Sequence, residues 1–520
     1  MAVIQDLPVE LFARICSFLC FHCQAPRFFP NADMEELLAD KASLARLCRV
    51  SKSVCGIAQP FVFHYYATGN LPWYYHCGPE DPTFMYSDAR WPCANDFLPS
   101  FLRSIIRRPD LAGCVRALQL VTPKPFPEQC LPWDGGLEAD CESAITKAST
   151  DLGVVAFNGF HPGYKDWVRN MPGFEDWVTI DDIHHTLVQL AILLCPQVRT
   201  LLLMGDFSPS SGSLLLSSGR ALPALETIGL ISNDGGGHYN LITPLIALAP
   251  NLQTIHAIDA HNETINAPVV AGRAFGPPPF RDGPFTTLRK AVIQNLGADD
   301  LSAFLRSAPA LHELSYTESH ETDDEPGPEY YRDLVAGLAR THPTLRRLSL
   351  RFPVALTILP RRHSFLPPAI GSLSGFVRLE ELSVSQGAIY SRHYGGPPLV
   401  PLAGGLVEFL PPSLVALSIL EVCRDFEADL RCLARDALGG LPRLRSVRIV
   451  SFYTDEPCNA HLVVFSGEEK TNELQSVFAA AGISLAFAWA DEDDGVGDVP
   501  GLPTAERSGT DGCWKLGLRY

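Results

Sequence analysis

The chain is 520 residues long and 46% apolar, with a formal net charge of −17, which excludes wholesale disorder and argues against nucleic acid or an anionic membrane surface as the partner. That length holds two to four ordinary domains, or one extended repeat array beside a small module. Fifteen cysteines without regular spacing predict reduced thiols and no structural disulfides, as in a cytoplasmic or nuclear protein. No secretory signal or membrane span is expected either, since the longest apolar run, Leu187 to Cys195, stops at Pro196.

The first predicted element is DLPVELFARICSFL, Asp6 to Leu19. Pro8 suits the first helical turn, where a missing N–H costs nothing, and Asp6 and Glu10 suit the positive end of the helix dipole. Leu11, Ile15, Phe18 and Leu19 fall on one helical face, flanked by Phe12 and Cys16. So short an apolar helix must bury that face on its own domain or on another molecule. Cys20 to Ala42 then reads as a loop. Within it, Cys20, His22 and Cys23, with Cys16 upstream, have the Cys-x-x-Cys spacing that can hold zinc. No second ligand pair follows at knuckle spacing, so free thiols and no metal are expected; whether Cys48 and Cys55 approach them is not legible from spacing. A second apolar block, Ser43 to Tyr66, repeats helical spacing at Leu44, Leu47, Val54, Ile57, Ala58 and Phe61, with Val50 and Ser51 at the break between two helices.

From there the chain is self-similar. CPQVRTLLL (Cys195 to Leu203), LPALETIGL (Leu222 to Leu230), APNLQTIHA (Ala249 to Ala257), APALHELSY (Ala308 to Tyr316), HPTLRRLSL (His342 to Leu350), FVRLEELSV (Phe376 to Val384), PPSLVALSI (Pro411 to Ile419) and LPRLRSVRI (Leu441 to Ile449) each carry apolar residues at positions i, i+3 and i+5, often with a proline two residues ahead. GCVRALQL (Gly113 to Leu120) and TTLRKAVI (Thr286 to Ile293) are weaker copies. Val198, Leu225 and Leu252 are spaced by 27 residues, and Leu311, Leu345 and Leu379 by 34. Helical spacing precedes several copies, at Asp182 to Leu194, Asp299 to Ser307, Glu329 to Arg340 and Phe426 to Ala437. A helix followed by a short strand cannot bury its apolar face alone; stacked units can, so the predicted fold class is α/β, a solenoid with parallel strands on its concave side.

This portion, about Phe97 to Trp489, resembles the irregular leucine-rich repeats of fungal F-box proteins. The start of the chain resembles an F-box: the family's Leu-Pro-x-Glu-hydrophobic opening is matched by Leu7, Pro8, Glu10 and Leu11, and its Val-Ser-basic signature by Val50, Ser51 and Lys52. The resemblance implies a three-helix module over residues 1–70, with an insertion at about 20–42, that docks a Skp-type adaptor and through it a cullin. Leu7, Pro8, Leu11, Ile15, Leu47, Val50 and Phe61 are the implied adaptor-binding residues. The repeat domain would hold an unknown protein substrate, and the chain would be a substrate receptor of a ubiquitin ligase rather than an enzyme, with no cofactor. The competing expectation is a repeat scaffold whose N-terminal helices only cap the solenoid.

No catalytic constellation emerges elsewhere. DDIHH, Asp181 to His185, reads as a helix start with acids in its first turn, and its adjacent histidines point in different directions. SNDGGGHYN, Ser232 to Asn240, lacks the Gly-Lys-Ser/Thr ending of a phosphate loop, and GSLSG, Gly371 to Gly375, has leucine where a nucleophile elbow has serine. Val121 to Ile180, with Trp133, Trp167 and Trp177, and the Pro/Gly-rich Ala267 to Pro284 read as loops outside the repeat stack, with SHETDDEPGPE, Ser319 to Glu329, as an acidic rim. If these loops recognise a ligand, a basic protein segment suits them best. Residues 490–520 read as an acidic, Gly-rich mobile tail in which Trp514 provides a local anchor.

Overall fold

The computed structural model describes residues 7–24, 34–67, 98–121, 139–152, 177–204, 215, 218–231, 245–258, 285–294, 296, 298–317, 338, 343–351, 370, 372–389, 405–422, 426–452, 468–490, 504–507 and 514–517. The chain divides into two compact units, Met1–Ala271 with Glu506–Tyr520, and Gly272–Ala505.

The first unit opens with four helices, α1 (Val9–Phe18), α2 (Phe21–Gln24), α3 (Met34–Leu47) and α4 (Lys52–Phe63). An open parallel sheet follows: β1 (Tyr65–Ala67), β2 (Ala117–Val121), β3 (Thr200–Met204), β4 (Thr227–Ile231) and β5 (Thr254–Ile258), each beside the next in chain order. Helices α5 (Leu98–Arg107), α6 (Pro109–Ala112), α7 (Ala139–Asp151) and α8 (Trp177–Leu194) lie between its strands in sequence.

The second unit repeats this plan. Its parallel strands are β6 (Lys290–Gln294), β7 (Glu313–Thr317), β8 (Arg347–Arg351), β9 (Glu381–Ser385), β10 (Ala416–Val422), β11 (Ser446–Phe452) and β12 (Ser484–Ala490), again in chain order. Between them the described residues include α9 (Ala298–Ser307), α10 (Gln386–Ile389), α11 (Gly405–Phe409), α12 (Glu427–Gly440) and α13 (Glu468–Ala480). Both units are therefore α/β with open parallel sheets, as stacked repeats require.

All ten predicted copies deliver a strand, and their i, i+3 and i+5 residues are buried, as at Leu345, Leu348 and Leu350 or Leu379, Leu382 and Val384. The local chemistry recurs with them. In Val198, Leu225, Leu252, Leu311, Leu414 and Leu444 the N–H at position i donates to the carbonyl three residues back, at 3.0–3.2 Å, closing a tight turn. The proline two residues ahead falls on the second residue of that turn, where its fixed φ is already correct. The residue before position i reaches to the preceding copy: Asn251 Nδ2 donates to the Pro223 carbonyl at 2.8 Å, Thr344 Oγ1 to that of Leu311 at 2.7 Å, and Ser413 Oγ to that of Leu379 at 2.7 Å. At the strand starts of the second unit Lys290, Glu313, Arg347 and Glu381 alternate in sign, with contacts of 3.8, 3.2 and 3.1 Å.

Several expectations are corrected. The array of the first unit starts at Tyr65, inside the segment assigned to the F-box-like module, because β1 pairs with β2. The 20–42 segment is not a loop throughout, since α2 and the first turns of α3 occupy part of it. Nor is 121–180 all loop: α7 buries Ile145, Ala148 and Leu152, and Trp177 begins α8. Asp181 to His185 consequently lie inside α8 rather than at its start, which holds no acidic residue in the first turn. Within 490–520, Thr504–Arg507 and Trp514–Gly517 pair as a two-stranded sheet, so Trp514 stands on a strand. Trp133, Trp167, Ser232 to Asn240, Ala267 to Pro284 and Ser319 to Glu329 lie outside the described residues. Ser372 of the GSLSG segment donates to the Glu408 carbonyl at 3.0 Å, a turn-fixing contact. Among the described residues no helix is long and apolar enough to cross a membrane.

Leu348→Ala and Leu382→Ala should each cost about 2 to 5 kcal/mol, through lost transfer energy and the cavity left behind. Ser413→Ala should cost about 1 to 3 kcal/mol, because a buried carbonyl loses its donor. Chemical denaturation of the three variants measures these losses; unchanged midpoints would contradict the register.

Candidate functional site

The four N-terminal helices form a small core of their own. Phe12, Cys16 and Cys20, at four-residue spacing, meet Leu44 from α3 and Val54 and Ala58 from α4; Leu19, Leu47, Cys48, Ile57, Phe61 and Val62 pack around them. The α1 helix begins one residue later than the proline rule suggests. Pro8 is its N-cap, and the Pro8 carbonyl accepts the first helical bond from Phe12 at 3.0 Å. Helix α4 is started by Ser51, whose hydroxyl accepts from the Val54 N–H at 3.3 Å, which accounts physically for serine at the break.

With Phe12 and Cys16 turned inward, α1 still carries a second apolar stripe. Leu11, Ile15 and Phe18 recur at i, i+4 and i+7 about 100° round the helix, and all three are exposed, Leu11 by 55% and Phe18 by 61%. Leu7 is exposed just ahead of the helix, Val9 is exposed on its first turn but about 160° round from Leu11, off this stripe, and Val50 is exposed at the α3 to α4 break. Among the described residues seven large apolar side chains are exposed, and six of them belong to the segment from Leu7 to Val50; Val377 is the other. Scattered exposed leucines mean little; these are gathered on one short module. The Arg14 guanidinium lies 5.5 Å from the Phe18 ring centroid, a cationic edge to the patch.

The seven implied adaptor-binding residues thus separate. Leu7, Pro8, Leu11, Ile15 and Val50 are at the surface, while Leu47 and Phe61 are half-buried against the module's own core.

A second constellation sits beside this core. Cys20, His22 and Cys23 come from the α2 turn, and His64 from the end of α4; the four donor atoms lie within 4.8 Å of one another. His64 Nδ1 is 3.5 Å from Cys23 Sγ and 3.7 Å from Cys20 Sγ, and His22 Nδ1 is 3.9 Å from Cys23 Sγ. Hydrogen bonding from Cys20, with further help from His22 and His64, holds the Cys23 thiol well below its ordinary range; the same pairing and burial push Cys20 up. His64 is the member of this cluster that spacing could not reveal, being 41 residues beyond Cys23. Cys16 is buried in the helical core instead, and Cys48, whose thiol is pushed up to about 11 by burial and by Cys55, pairs off with that residue.

The module continues directly into the sheet. The Tyr65 hydroxyl donates to Gln119 Oε1 at 2.6 Å, and the Tyr66 ring stacks on Phe101 with centroids 4.0 Å apart. The His64 carbonyl accepts both the Arg116 and Ala117 N–H groups, at 2.9 and 3.0 Å. No protein-family model matches the chain, and no curated protein matches it.

The two stripes of α1 should respond oppositely to truncation. Phe12→Ala should cost about 3 to 5 kcal/mol, whereas Leu11→Ala, one residue away, should stay within about 0.5 kcal/mol. Thermal melts of the two full-length variants check this; equal losses would mean that the Leu11 stripe is buried.

Proposed function

We propose that the chain is an F-box substrate receptor of a Skp, cullin and F-box type ubiquitin ligase. The observation that carries this reading is the second apolar stripe of α1. Among the described residues, α1 is packed through Phe12 and Cys16 while Leu11, Ile15 and Phe18 stay exposed, as half of an intermolecular core would be before its partner binds. Of the residues that suggested an F-box, Leu7, Pro8, Glu10, Leu11, Val50 and Lys52 are exposed, and Ser51 is half-buried as the cap of α4. The adaptor would seat there and link the chain to a cullin. The repeats of the leucine-rich type would hold the target protein near the ubiquitin donor, so that the chain supplies proximity and orientation and no reacting group.

The repeat strands support a recognition role by their chemistry. In the second unit the half-buried Ser349 and Ser383 are aligned across adjacent strands, with Ser315 of the same row buried, next to the alternating row of Lys290, Glu313, Arg347 and Glu381. Short hydroxyls beside fixed charges suit a polar protein segment. A second reading, a repeat scaffold capped by its N-terminal helices, is favoured by one observation, the direct passage of α4 into β1 and its pairing with β2.

One double variant separates the two. Leu11→Asp with Ile15→Asp in the full-length chain should weaken binding of a purified Skp-type adaptor more than about 100-fold, because two uncompensated charges would be buried in the interface. Its melting temperature should match that of the unsubstituted chain. The scaffold reading requires the reverse: no adaptor binding by the unsubstituted chain, and a lowered melting temperature in the variant.

A further inference from the structure

We infer that Cys20, His22, Cys23 and His64 form a structural zinc site that locks the α2 turn onto the end of α4. The inference is independent of the adaptor reading and rests on geometry. Zinc takes four ligands tetrahedrally, with Zn–S of about 2.3 Å and Zn–N of about 2.0–2.1 Å, which sets the sulfur to nitrogen edge of the tetrahedron at about 3.6 Å. The two edges to His64 measure 3.5 and 3.7 Å, and the His22 edge 3.9 Å. The donor set, two sulfurs and two imidazoles, is that of a closed zinc site and disfavours calcium or magnesium, which select oxygen.

Hydrogen bonds to Cys23 from Cys20, His22 and His64 also draw this cluster together, but they centre on one atom, Cys23 Sγ. Both sulfurs converge on the same nitrogen, Nδ1 of His64, and one ring nitrogen can take a single hydrogen. Cys20 has another acceptor, the Phe61 carbonyl, at 3.5 Å. A cation at the centre uses all four groups at once.

The local fold also calls for such a tie. Helix α2 is four residues long and buries no residue of its own, and a single helical turn is unstable without outside support. Phe21 gives some, with its ring 4.9 Å from that of Tyr65. The metal would supply the rest, joining parts of the chain 41 to 44 residues apart. It would also fix His64, whose carbonyl begins the sheet by accepting from Arg116 and Ala117.

The test is made on the full-length chain, purified under reducing conditions without a histidine tag. Elemental analysis should find about one zinc per chain, and replacement by Co2+ should give the absorption of tetrahedral cobalt with thiolate charge-transfer bands. Cys23→Ser and His22→Asn, both at accessible positions, should lose the metal while keeping the helical and sheet signal, and Cys55→Ser should retain it. Chelation should lower the melting temperature of the unsubstituted chain and leave that of Cys23→Ser unchanged. Any of three results would overturn the site: no zinc or cobalt uptake by the reduced chain, full stoichiometry in both ligand variants, or a cobalt spectrum without thiolate bands.

Discussion

One backbone carbonyl per copy accepts two N–H groups from the next, and the rest of each unit is arranged around that rung. In the first unit the acceptors are His64, Arg116, Arg199 and Glu226, and in the second Arg289, His312, Arg346, Glu380 and Val415. The donors are always the residues at positions i+1 and i+2 of the following copy, as when Arg199 and Thr200 both donate to Arg116. A rung of this kind fixes the register of a parallel pair to the residue. Leucine then stacks on leucine through the i+3 and i+5 rows, and Glu313 faces Arg347 rather than its neighbour. A shift by one residue would turn every buried side chain to the other face. Register is local, so the chain between rungs is free to vary in length, and closing a longer connection adds little entropy cost. This explains why spacings of 27 and 34 residues coexist in one sequence.

The same constraint explains what was legible before the structure. An apolar triplet behind a proline turn is a strong signal because each of its parts is required by the rung, and every such triplet yields a strand. β1 and β12 escaped for definite reasons. Tyr65–Ala67 is three residues long and held by a buried phenol and a stacked ring instead of leucines. Ser484–Ala490 follows a turn made by Gly482 at a φ of +75°, so no proline announces it. Helix α7 was lost among polar residues, its buried face reduced to Ile145, Ala148 and Leu152.

The exposed stripe of α1 was legible only in part, since helical spacing groups residues without saying which molecule covers them. Leu11 and Phe12 are adjacent and both apolar, yet one is exposed and the other is core; the difference depends on where α3 and α4 lie. Leu47 and Phe61 are half-buried against the core for the same reason. Of the thiol and imidazole cluster, Cys20, His22 and Cys23 were legible from their spacing, whereas His64 comes from the end of another helix and tertiary structure alone brings it near.

These two sites are coupled through a short path. The face of α1 that remains exposed is backed by Phe12 and Cys16, which pack on Val54 and Ala58 of α4. Helix α4 ends at His64, where the side chain meets Cys20 and Cys23 while the carbonyl carries the first rung. A partner seated on Leu11 and Ile15 would therefore be separated from β2 by one helix and one residue, with no flexible linker between them. For a receptor that acts by positioning a target, the rigidity of that path decides how much of the binding energy becomes orientation.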